Sequence, residues 1–129
     1  MSRLSDKETE SILEWVDSVP MTRPKRSLSR DFSDGVMVAE IIHHFIPKFI
    51  ELHNYSASNS TPQKRYTWQT LREKVLIPRF GIKLEDSQID GICSAKPGMI
   101  EMFLVVLRSK IQESITSLET FKQQQEKQQ

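Results

Sequence analysis

The residues best equipped for chemistry are three histidines, one cysteine and eighteen lysines and arginines. His43 and His44 are adjacent, so on a helix they point about 100° apart and do not converge on one ion. His53 and Cys93 lie in other parts of the chain, and no pair has the i, i+4 spacing of a helical zinc pair. These spacings predict no metal site. The glycines stand singly at 35, 81, 91 and 98, so no phosphate-cradling loop is formed. Cys93 follows Ile89 and Ile92 on the apolar side of a short helical pattern and reads as a small core residue rather than a nucleophile. No catalytic group and no cofactor are expected.

The cations are a different matter, because they are segregated. The net charge is +1, yet residues 1–19 carry two basic and five acidic groups, whereas residues 20–30 hold Arg23, Lys25, Arg26 and Arg30 with no acid. Residues 31–47 are acidic again. Residues 48–83 then carry seven basic and two acidic groups, among them Lys48, Lys64, Arg65, Arg72, Lys74 and Arg79. Loop cations are ordinarily just solvated. Two such stretches brought together would instead make a basic patch suited to an acidic polymer. Arg72, Lys74 and Arg79 fall near a helical pattern and fit its solvent face equally well. Tyr66 follows Lys64 and Arg65, but one such cluster in a chain of charge +1 is not the footprint of a nucleic-acid binder.

The elements that must position these residues are helical. Ser5 to Glu8 has the spacing of a capping box, and Ile12, Trp15, Val16 and Val19 recur on one face until Pro20. Residues 21–30 show no apolar period and read as a loop. Ser33 or Asp34 can cap a helix carrying Val38, Ile41, Ile42 and Phe45, which ends at Pro47. Residues 48–66 read as a long irregular loop, of the length that is often functional. Thr67 is placed to cap a helix with Trp68, Leu71 and Val75 that stops before Pro78 and Gly81. Asp86 opens a short helix, and Pro97 suits the first turn of the last one, whose stripe runs from Ile100 through Ile111 and Ile115 to Leu118. Trp15, Phe32 and Trp68 are expected in the core. No segment alternates as a strand, so the class is all-α: one domain over residues 1–118, then a polar, glutamine-rich tail, 119–129, or the start of a linker or coiled coil.

Bulk properties agree with a single globular module. At 129 residues the chain can build one real core, and 37% hydrophobic with 27% charged residues is an ordinary soluble balance. No apolar run approaches the roughly 20 residues that span a bilayer, and the N-terminus has no apolar leader stretch. A lone cysteine allows no intrachain disulfide and suits a reducing compartment. A cytoplasmic, cytoskeletal setting is expected, with no membrane insertion.

The stretch Asp31-Phe32-Ser33-Asp34-Gly35-Val36-Met37-Val38-Ala39-Glu40-Ile41-Ile42 resembles the most recognisable part of the calponin-homology fold. Physically, Phe32 plugs the core, Ser33 or Asp34 caps the helix, and Gly35 clears space for a close approach. More specific matches surround it: Trp15-Val16, Arg23-Pro24-Lys25-Arg26, Ser29-Arg30-Asp31, Glu51-Leu52-His53-Asn54-Tyr55 and Lys74-Val75-Leu76. Over about Leu13 to Lys110 the chain resembles the N-terminal, calponin-homology-like domain of the sperm flagellar protein (CLAMP) family. It departs at Ile77-Pro78-Arg79-Phe80, where a more basic, proline-free segment is expected. The resemblance implies a compact bundle of about four main helices with short ones and a long irregular loop. It also implies microtubule (tubulin) binding in the axoneme of cilia and flagella, and coiled-coil sequence after the domain, through which homodimerisation is expected. On that basis the ten cations from Arg23 to Arg79 named above are the expected microtubule contacts. Actin binding is the alternative on the same fold, though actin binders of this fold work as tandem pairs and one copy is present here. An adaptor domain docking a protein partner is the third reading.

Overall fold

The computed structural model describes residues 4–21 and 27–127, with side chains to residue 125. The described residues form helices and turns without a strand. The helices are α1 (Asp6–Asp17), α2 (Leu28–Asp31), α3 (Val36–Phe45), α4 (Thr61–Leu71), α5 (Ile77–Phe80), α6 (Asp86–Cys93) and α7 (Met99–Lys127). A π-helical segment, Arg72–Leu76, joins α4 to α5, and 3-10 turns at Pro47–Phe49 and Leu52–Asn54 follow α3.

The first helix begins as its sequence dictates. Ser5 Oγ accepts the Glu8 N–H at 3.1 Å, and Glu8 Oε1 accepts the Ser5 N–H at 3.1 Å. This reciprocal cap satisfies two donors that a helix start would otherwise leave unpaired. Ile12, Val16 and Val19 are buried, while Trp15 lies half-buried and stacks on Phe45 of α3 with centroids 5.7 Å apart.

The long helix α7 is the axle of the molecule. It packs against α1, α2, α3, α5 and α6, and it buries Ile100, Phe103, Leu104, Leu107 and Ile111. Burying aliphatic and aromatic side chains of this size contributes about 1.5–3 kcal/mol each. Trp68 of α4 is fully buried and meets the edge of Phe103 at 5.3 Å. The helix passes residue 118 without a break and continues to Lys127, with Ile115 and Leu118 still packed on the core and Phe121 60% exposed.

At the Phe32–Ile42 stretch the capping is done by Asp34 rather than Ser33. Asp34 Oδ1 accepts the Val36 N–H at 3.1 Å, and its Oδ2 accepts the Ser58 N–H at 3.3 Å, so the same carboxylate pins the following loop. The Ser33 hydroxyl turns back to the Arg30 carbonyl at 2.7 Å, and the Ser33 carbonyl accepts the Trp68 indole N–H at 2.9 Å. Gly35 has φ of +82°, and a Cβ there would sit 3.3 Å from Thr67 Cγ2 and 3.4 Å from Trp68 Nε1. Phe32 is fully buried.

Several expected boundaries are displaced. Residues 28–30, read as loop, form α2 together with Asp31. The irregular segment expected at 48–66 is shortened by two 3-10 turns and by α4, which starts at Thr61 with Pro62 in its first turn. Thr67 is therefore buried in mid-helix and caps nothing. Pro78 does not stop the helix. The Ile77 N–H reaches Arg72 O across a π turn, and that wider turn eases the clash a proline ring makes with the carbonyl four residues before it. The helix ends instead at Gly81, whose φ of +67° allows the Ile82 N–H to reach Leu76 O at 2.8 Å. Pro97 lies in the turn before α7, not in its first turn.

Candidate functional site

The expected cations separate into three groups. Arg23, Lys25 and Arg26 lie outside the described residues. Arg65 and Arg72 are drawn into the fold. Arg30, Lys48, Lys64, Lys74 and Arg79 form no ion pair among the described residues.

Arg65 on α4 and Arg72 at the start of the π segment stand about two helical turns apart on the side that meets α6, where Asp86 and Asp90 are one turn apart. Arg65 Nε donates to Asp90 Oδ1 at 2.7 Å, and Arg72 Nη1 donates to Asp86 Oδ1 at 2.8 Å. Pairing the later arginine with the earlier aspartate makes the two helices antiparallel. The rungs are unequal. The Arg72 side chain is only 17% exposed, and it also donates to the Leu84 carbonyl at 2.9 Å and to Glu73 at 2.9 Å. Hydrogen bonding to Asp86 raises its pKa further, against the opposing effect of burial. Arg65 and Asp90 are about half exposed and Asp86 is 80% exposed, so water competes for both bridges, and the part-buried bond to the Leu84 carbonyl is what sets Arg72 apart. The sequence reading missed Asp86 and Asp90 as partners, although acids at i, i+4 facing cations at i, i+7 are a legible complement.

The solvent-facing cations lie on different elements. Arg30 lies in the last turn of α2, and Lys48 is exposed in the first 3-10 turn. Lys64 is half-buried on α4, and Lys74 is exposed within the π segment. Arg79 on α5 places its guanidinium 5.0 Å above the Phe49 ring, next in sequence to Lys48. The π segment therefore helps bring Lys48 and Arg79 to one corner, with Phe49 edge-on to Phe80 beneath them at 5.6 Å.

The histidines and cysteine are not assembled. His53 Nε2 is 3.5 Å from Glu51 in an exposed turn, and burial raises the pKa of the Cys93 thiol. Among the described residues no three His, Cys, Asp or Glu side chains are grouped to hold a metal ion, and no helix is long and apolar enough to cross a membrane.

Helices packed about α7, with a capping aspartate and a φ-positive glycine wedged beneath a buried tryptophan, define a calponin-homology-like module. The chain belongs to the family described as the CH-like domain in sperm protein, whose model matches residues 12–109. It is 44% identical over 109 residues to sperm flagellar protein 1 of Xenopus laevis, covering 84% of this chain and 47% of the relative. It is 42% identical over 112 residues to sperm flagellar protein 1 of Homo sapiens, and 41% identical over 112 residues to that of Mus musculus; each match covers 87% of this chain and 47% of the relative. The chain thus spans about half the length of the curated relatives it matches.

Proposed function

We propose that this domain is the non-catalytic microtubule-binding module of a flagellar cytoskeletal protein, working in the axoneme. The observation that carries the reading is the division of the cations. Of the six expected contacts between residues 48 and 79, the structure spends Arg65 and Arg72 on α6, whereas Lys48, Lys64, Lys74 and Arg79 have no acidic partner among the described residues. With Arg30 they supply positive charge beyond what the described fold consumes, the condition for attraction to an acidic polymer such as tubulin, and the stretch Arg23 to Arg26, outside the described residues, adds cations on the sequence alone. The name of the relatives supports the flagellar setting.

The test is co-sedimentation of the 129-residue chain with microtubules and, side by side, with actin filaments across a salt series. The domain is expected to pellet with microtubules, with binding falling steeply as the Debye length shrinks from about 10 Å at 0.1 M salt toward 3 Å at 1 M. Pelleting with actin alone, or microtubule binding indifferent to salt, would overturn the reading.

A further inference from the structure

One apolar groove takes no part in the cation argument. It lies between the 81–84 segment, α6 and α7, has a volume of about 380 Å³, and is floored by Ile82, Leu84, Ile92, Met102, Phe103 and Val106. Val106 is 45% exposed and Met102 41% exposed, although both sit on the helix that anchors the core. These two side chains, one turn apart, form the solvent-facing part of the groove, and a flexible thioether suits a surface that adapts to a partner.

The charge around the groove is one-sided. The ionisable side chains lining it among the described residues are Lys83 and Lys110. The acids of α6 are turned elsewhere, Asp86 to Arg72 and Asp90 to Arg65, and the α6 residue that faces the groove beside Ile92 is the neutral Gln88. At one end Lys110 lies 3.6 Å from Glu113, an exposed i, i+3 pair that water weakens, while Lys83 has no ion pair among the described residues. An apolar floor with cations along its rim fits a helix that is apolar on one face and acidic on its flanks.

We infer that this groove docks an acidic amphipathic helix of a partner protein, seated on Met102 and Val106 and flanked by Lys83 and Lys110. The inference is independent of polymer binding, since neither lysine is among the cations invoked for that.

The probe is a fluorescein-labelled helical peptide of about 18 residues, long enough for five turns, with leucines along one face and glutamates on both flanks. Its twin carries lysines in place of the glutamates. Fluorescence anisotropy with the full 129-residue chain should show saturable binding of the acidic peptide and at least about tenfold weaker binding of the twin. Val106→Glu and Lys83→Glu should each weaken the acidic peptide by about tenfold at unchanged helix content. Lys83 is exposed, so its variant decides the matter should Val106→Glu perturb the fold. Equal binding of the two peptides, no saturable binding, or indifference to Lys83→Glu would overturn the proposal. So would a reversible dimer of the chain alone, seen by sedimentation equilibrium and lost on Lys83→Glu, since the groove would then belong to a second copy.

Discussion

At the scale of single residues, the tightest constraint lies at Gly35. Its φ of +82° is one that side-chain-bearing residues rarely adopt, and the space its Cβ would need is bounded by Thr67 and Trp68. A branched side chain there must push on an indole whose N–H is bonded to Ser33 O, so strain and a lost buried hydrogen bond come together. Gly35→Val is expected to lower the melting temperature sharply, and Phe32→Ala to cost about 3–5 kcal/mol as a cavity in a fully buried site. Denaturant titration checks both; parent-like midpoints would mean that neither residue supports the core. These positions were legible in the sequence because the Asp31–Ile42 stretch in which they stand resembles the most recognisable part of the calponin-homology fold. The role of Ser33 was not legible, since Ser33 and Asp34 are both capable caps. Only the geometry, with Asp34 bonded to both Val36 and Ser58, decides between them.

At the scale of elements, local rules located α1, α3 and α7 but failed around Pro78. A proline ordinarily ends a helix, and tertiary packing here overrides that preference through a π turn that keeps Val75, Leu76 and Phe80 buried. Likewise Arg65 and Arg72 could not be told from solvent cations by sequence, because the distinction depends on α6 folding back antiparallel to α4. Their contributions should differ. Arg72→Met removes a bond to the exposed Asp86 and a charge-assisted bond to the part-buried Leu84 carbonyl, and is expected to destabilise by about 1–3 kcal/mol. Arg65→Ala removes one half-exposed bridge and is expected to cost less than about 1 kcal/mol. Urea unfolding of the two variants measures the order, and a reversed ranking would refute the account of the α4–α6 contact.

At the scale of the whole molecule, what matters is which charges are left over once the fold has taken its share. Arg30, Lys48 and Lys74 are exposed and carry no side-chain bond among the described residues. They sit on α2, on the 3-10 turn after α3 and in the π segment. Replacing exposed side chains away from caps and buried partners usually changes stability by no more than about 0.5 kcal/mol. The variant Arg30→Glu, Lys48→Glu, Lys74→Glu should therefore melt within a few degrees of the parent. Yet it changes the net charge by six units, from +1 to −5, and so turns attraction to an acidic surface into repulsion. Its microtubule binding is expected to fall by at least about tenfold, the larger part of the loss appearing at low salt, where screening is weakest. Reversing Lys96 and Lys122 serves as the control. Both are exposed, but neither belongs to the two cation-rich stretches, so their reversal should weaken pelleting far less despite a change of four units. A control that loses binding while the triple variant keeps it would place the contact on another face. Equal losses in the two would mean that net charge alone, rather than its placement, governs the attraction.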